Sequence, residues 1–273
     1  MARKGLLRAS GSFGVMTVGE KIEKVSDSVE TQRRPWFLKL ARRYVRRQLG
    51  SHFDGVFVRG LAEIKAFCAT NPVIVAANHT CWWDAFLVVL LDEALGSESY
   101  CLMDRENLDR LPFFGWIGAL ALDRENPKKC LRDLRASARL LDEPRRVLWI
   151  FPQGEQRPFH LRPLNLQSGV AFVAQQSGVG VVPLSISYLY AHSPRARILA
   201  CFGAPLPSEP IGLWRPFLRR LEERLVAGLE MNDGFLLAQK PDYQLLLASK
   251  RDSTDTTQGA RLLSRWIGRT KEE

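Results

Sequence analysis

Apolar and polar positions follow two different periods along the middle of the chain. Short apolar runs bounded by Gly, Pro or charged residues predict strands at "GVFVRG", "NPVIVAANH", "SYCLMD", "LALDR", "RRVLWIFPQG" and "VGVVPLSISYLY". Between them lie longer stretches with helical spacing: "WWDAFLVVLLDEAL", "LRDLRASARLLDE" and "LQSGVAFVAQQSG". From about residue 53 onward this alternation predicts an α/β fold with a central, mostly parallel, twisted sheet flanked by helices. No internal repeat is present. The run "AFLVVLL" is far shorter than the ~18 apolar residues needed to span a bilayer.

The ends have a different character. Residues 1–32 are polar and predict a loosely ordered extension without a cleavable leader. "RRPWFLKLARRYVRRQLG", 33–50, predicts a helix with Pro35 in its first turn and Gly50 as its stop. Phe37, Leu38, Leu40, Ala41, Tyr44, Val45 and Leu49 share one face, and Lys39, Arg42, Arg43, Arg46 and Arg47 share the other. A membrane-surface helix and a helix docked on its own domain both satisfy this pattern. Residues 51–235 form the predicted main domain, with a charged amphipathic helix at "FLRRLEERLVAGLE". The tail, 236–273, carries Leu262, Leu263, Trp266 and Ile267 beside Arg261, Arg265 and Arg269, the pattern of a short amphipathic helix.

Charge and cysteine usage narrow the classes. The 273 residues carry a net charge of +10, which favours anionic partners: phosphate-bearing ligands, an anionic membrane or nucleic acid. No nucleic-acid-binding motif accompanies it, so nucleic acid is not expected as a partner. Five scattered cysteines without a C-x-x-C predict reduced thiols in a cytosolic setting. No phosphate-binding glycine loop, nucleophile elbow or metal-ligand spacing is present, and no metal or bound cofactor is expected.

The chemistry concentrates in "NHTCWWD". His79 lies at a predicted strand end just before a helix, and Asp84 lies within the first turns of that helix. A carboxylate on one ring nitrogen leaves the other free as a general base. Such a pair needs no adjacent Ser or Cys if the substrate itself supplies a hydroxyl nucleophile. On spacing alone, a histidine bonded to backbone and an aspartate favouring a helix N-terminus is the favoured reading, because His and Asp five apart are common by chance. Trp82 and Trp83 follow as core packing beneath the helix, an apolar ligand wall or membrane-facing aromatics. His160 reads as a loop histidine.

Three further blocks decide the matter. "NHTCWWD" resembles the first block, N-H-x-x-x-x-D, of the glycerolipid (lysophosphatidate type) acyltransferase family. "LPFFGWIGALALDR", 111–124, looks like its second block, "IFPQGEQRP", 150–158, its third and "VVPLSIS", 181–187, its fourth. The order and spacing agree over roughly residues 53–190. The resemblance implies that His79 is the general base and Asp84 its orienting partner. It implies an oxyanion donor around Gly154 and Gln153, and acceptor-phosphate contacts from Arg124, with Arg157 as a substitute for the missing block arginine. The third block departs from F-P-E-G-T-R at three positions, now Gln153, Glu155 and Gln156. The implied function is transfer of a fatty acyl chain from acyl-CoA or acyl carrier protein to a hydroxyl of a lipid acceptor such as lysophosphatidate. The setting implied is the cytoplasmic face of an anionic membrane, with peripheral attachment. The altered third block leaves open a non-catalytic lipid-binding protein on the same scaffold.

Overall fold

The computed structural model describes residues 33–191, 193–209, 212–238 and 242–250. The predicted N-terminal extension, 1–32, and the tail helix around Leu262–Ile267 lie outside them. The elements run α1 (Pro35–His52), β1 (Val56–Arg59), α2 (Leu61–Thr70), β2 (Val73–Ala77), α3 (Trp83–Leu95), β3 (Glu98–Asp104) and α4 (Arg105–Arg110). A short 3-10 helix, Pro112–Ile117, leads into β4 (Ala119–Leu122) and α5 (Pro127–Arg139). Then come β5 (Arg146–Ile150), α6 (Gly169–Ser177), β6 (Val181–Leu189), β7 (Arg197–Phe202), α7 (Trp214–Ala238) and β8 (Gln244–Leu247).

The eight strands among the described residues form one sheet, in the order β4-β3-β5-β2-β6-β7-β1-β8. Pairing is parallel except at β6–β7 and β1–β8. The sheet is therefore mostly parallel with helices on both faces, as the alternating pattern predicts. β2 shows why the sequence reads as a continuous apolar run: all five of its residues are buried. Val73, Val75 and Ala77 enter one core with α1, α2 and α3, while Ile74 and Ala76 enter the other with α5, α6 and α7. β5 divides in the same way, Val147 and Trp149 against Leu148 and Ile150. The one polar atom Trp149 buries is satisfied, because Nε1 donates to Ser99 Oγ at 3.0 Å. Strands β7 and β8 and helices α2 and α4 are additions to the sequence reading.

Topology also places the site. After β2 the chain leaves for β3 and β4, returns as β5 on one side of β2, and then adds β6 on the other. Neighbouring strands thus diverge at the carboxyl end of β2, the position where open α/β sheets form ligand crevices.

The structure revises α1 in two respects. It continues through Gly50 to His52. Gly50 marks a close approach: a Cβ there would lie 3.1 Å from Lys250 Cγ and 3.4 Å from the Ala248 carbonyl oxygen. Further, Arg42 and Arg46 do not join a free basic face. Arg42 Nη2 donates to Asp92 Oδ2 at 2.7 Å and Arg46 Nε to Glu93 Oε2 at 2.8 Å, clamping α1 onto α3. Periodicity alone cannot see such acids on a neighbouring helix. Asp92 is buried, and its other side-chain partner is Ser97 Oγ at 3.2 Å. Arg42→Ala is expected to lower unfolding free energy by about 3 kcal/mol, since it strands a buried carboxylate. Arg46→Ala, at a half-exposed pair, is expected to cost under about 1 kcal/mol in the same urea titration.

Candidate active site

His79 lies just past the end of β2, and its backbone is held by the loop after β5. Its N–H donates to Gln153 Oε1 at 2.6 Å, and its carbonyl accepts from the Arg157 N–H at 2.8 Å. The residue before it bridges to β6. Asn78 donates to the Ile186 carbonyl at 2.9 Å and accepts from the Ile186 N–H at 2.7 Å. The first, third and fourth blocks are therefore joined at one point, on three adjacent strands.

The imidazole is oriented from both sides. Nδ1 lies 2.7 Å from Asp84 Oδ2, and Phe151 packs on the ring with centroids 4.5 Å apart. Asp84 is fully buried and fully used. Oδ2 also accepts from the N–H groups of Thr80 (2.7 Å) and Cys81 (3.1 Å), and Oδ1 accepts from Tyr188 Oη at 2.6 Å. Those three partners are all donors, so Asp84 acts as an acceptor-only carboxylate and Nδ1 carries the imidazole proton. Burial, then the Asp84 charge, push the Tyr188 hydroxyl well above its ordinary pKa, which keeps it a donor. Burial and the same carboxylate push the Cys81 thiol up. The His79 side chain is 23% exposed, and its Nε2 has no partner among the described residues. The arrangement leaves a lone pair facing out of a fixed ring.

The loop after β5 turns at Phe151-Pro152-Gln153-Gly154, closed by the Gly154 N–H donating to the Phe151 carbonyl at 3.0 Å. That N–H is thus committed within the turn. The N–H groups of Glu155 and Gln156 have no hydrogen-bond partner among the described residues. Gly154 has φ +70°, and a Cβ there would lie 2.7 Å from Gln167 Nε2 and 3.0 Å from Arg124 Nη2. Arg124 Nη1 donates to the Gly154 carbonyl, and Gln167 Nε2 to the Gln153 carbonyl at 3.3 Å. Gly154→Ala is expected to cost about 2 kcal/mol of stability through the left-handed backbone and this crowding. Displacing the loop that holds His79 is expected to slow proton transfer at its imidazole by about ten- to a hundredfold, read as a turnover rate beside a thermal melt.

The structure brings His79, Asp84, Gln153, Gly154 and Arg124 together, and places Arg157 on the same loop. Arg124 comes from the end of β4, near the sheet edge, and also lies 3.8 Å from Asp104. Arg157 pairs with Glu155 at 3.2 Å. Both arginines are therefore partnered here. Gln153 is buried, and its neutral amide accepts the His79 N–H without burying a charge. His160 lies exposed in the following loop. Asn78 and Tyr188 were missed as site residues. Asn78 precedes His79 within "NHTCWWD", whereas Tyr188 is one of three polar residues on β6, with Ser185 and Ser187, and no sequence signal singles it out.

Aromatic side chains lead outward from the site. Trp83 packs against Phe53 (5.1 Å) and the core, whereas Trp82 is 56% exposed, packs tilted on Trp83 (4.6 Å) and meets Phe86 edge-on (4.8 Å). Phe86 meets Tyr44 of α1 at 6.0 Å. Along α1, Trp36, Leu40 and Tyr44 are spaced four apart and all exposed, forming one apolar line on the surface. Among the described residues no helix is long and apolar enough to cross a membrane.

A histidine–carboxylate pair at the switch point of an α/β sheet can take a proton from a hydroxyl bound against it. Residues 55–187 match the family model described as Acyltransferase. It is 27% identical over 124 residues to the 1-acyl-sn-glycerol-3-phosphate acyltransferase of Saccharomyces cerevisiae, covering 44% of this chain and 40% of that protein. It is 30% identical over 132 residues to the enzyme of the same name from Pseudomonas aeruginosa, covering 47% and 48%. The matches thus span less than half the length of these curated relatives. The fold resembles the crystal structure of the 1-acyl-sn-glycerophosphate (LPA) acyltransferase PlsC from Thermotoga maritima. The TM-score is 0.54 at 18% identity, over 72% of this chain and 80% of that one.

Proposed function

We propose that this protein is an O-acyltransferase of phospholipid biosynthesis that moves a fatty acyl chain from an acyl thioester to a hydroxyl of lysophosphatidate. The observation that carries the reading is the His79–Asp84 pair, with Nδ1 fixed and Nε2 free. Its support is the family match and the names of both curated relatives.

In this reading His79 Nε2 takes the proton of the acceptor hydroxyl, and that oxygen attacks the thioester carbonyl. Asp84 stabilises the imidazolium that forms. The oxyanion of the tetrahedral intermediate is held by free amides of the turn after Gly154, those of Glu155 and Gln156, since Gly154's own amide is used internally. Collapse breaks the C–S bond, and the leaving thiolate takes the proton from His79. Arg124 and Arg157 supply the positive charge for the acceptor's phosphate, exchanging a protein partner for it. The donor is acyl-CoA or acyl carrier protein, and no bound cofactor is required.

The exposed line of Trp36, Leu40 and Tyr44, continued by Phe86 to Trp82, supports peripheral attachment to a membrane surface with the site mouth beside the bilayer, and the setting we propose is the cytoplasmic face of an anionic membrane. The reading is tested by incubating purified protein with labelled acyl-CoA or acyl carrier protein and a panel of lyso-lipids. Labelled phosphatidate is the expected product, and no transfer to any acceptor would favour the non-catalytic reading.

A further inference from the structure

A groove of about 520 Å³ lies between α1, α3 and the segment after β8, away from the catalytic pair. Its walls carry five cations: Lys39, Arg42, Arg43, Arg46 and Lys250. Glu93 is the single acid among the lining residues. Arg42 and Arg46 are committed to Asp92 and Glu93, but the side chains of Lys39, Arg43 and Lys250 have no partner among the described residues. Arg42 also keeps a buried Nε without a hydrogen-bond partner. Lys250 is brought in by design of the backbone, because its N–H donates to the Gly50 carbonyl at 2.7 Å and its stem packs where Gly50 has no side chain. A cation cluster converging on one cleft, with donors left over, is a site for a multivalent oxygen anion.

We propose that this groove binds the phosphate headgroup of an anionic lipid in the bilayer, at a place distinct from the acceptor site. Lys39 and Arg43 are each three residues on from Trp36 and Leu40, so groove and exposed apolar line are neighbours on one helix surface. Side chains of this kind sit at headgroup depth, which puts a lipid phosphate within the groove's reach. The catalytic Asp84 lies at the opposite end of α3 from Glu93, about 13 Å along the helix axis. A headgroup in the groove would therefore anchor the protein without occupying the reaction centre. The inference rests on the membrane attachment proposed above.

The test is co-sedimentation of the full chain with phosphatidylcholine vesicles with and without phosphatidylglycerol. Arg42 is left intact because it holds α1. The triple variant Lys39→Ala/Arg43→Ala/Lys250→Ala is expected to lose partitioning onto anionic vesicles on the order of 100-fold. The charge-preserving variant Lys39→Arg/Arg43→Lys/Lys250→Arg is expected to bind as wild type. A control of equal charge on the other sheet face, Arg135→Ala/Arg219→Ala/Arg224→Ala, is expected to lose less than tenfold. Equal losses in the two alanine triples would reduce the groove to net charge and overturn the proposal. Wild-type binding to anionic vesicles with no loss in the groove variant overturns the groove alone. Absence of wild-type binding to any vesicle overturns the membrane reading with it. Binding of free desulfo-CoA that the groove variant loses, with vesicle binding intact, assigns the groove to the soluble donor instead.

Discussion

Asp84→Ala is expected to remove both activity and a large part of the stability. The carboxylate is buried and receives four hydrogen bonds, from His79, Thr80, Cys81 and Tyr188. Deleting it orphans two backbone N–H groups and a tyrosine hydroxyl in the interior, at about 3–5 kcal/mol in a urea titration. It also frees the imidazole to rotate and to change tautomer, so acyl transfer is expected to fall about 10²–10⁴-fold. Asp84→Asn separates the two effects. The amide keeps the shape, but its NH₂ cannot accept from the donors around it, so much of the activity loss should persist with a smaller loss of stability.

The second large effect has the opposite profile. His79→Ala is expected to lower transfer about 10²–10⁴-fold while leaving unfolding free energy within about 1 kcal/mol of wild type. The backbone contacts to Gln153 and Arg157 survive the substitution, and Asp84 keeps its other three donors. The ring itself is held by one hydrogen bond and the Phe151 face. A residue that matters for rate and little for stability is the signature expected of a group that meets substrate.

Much of this site was legible before the fold. The His79–Asp84 spacing and the strand–helix setting were visible, and the alternation of strands and helices gave the sheet. The roles that connect the blocks were not, because they depend on strand order. β2, β5 and β6 are adjacent although the chain visits β3 and β4 between β2 and β5. Only that order explains why Gln153 contacts His79, why Tyr188 contacts Asp84 and why Asn78 ties β2 to β6. Gln153 looked in the sequence like a lost acid. In the fold it is a buried acceptor for a backbone N–H, a task that needs an oxygen and no charge. α1 shows the converse limit. Its period was correct, yet two of its five arginine and lysine positions between 39 and 47 face acids on α3, and Gly50 serves a close approach rather than a helix stop.

The most direct test is a paired assay of wild type and His79→Ala for transfer from labelled acyl-CoA or acyl carrier protein to 1-acylglycerol 3-phosphate, with a thermal melt of each protein alongside. The proposed function predicts phosphatidate formation by wild type, a loss of about 10²–10⁴-fold in the variant, and nearly equal melting temperatures. A variant that folds like wild type and transfers acyl chains at the same rate would contradict the assignment of His79 as the base.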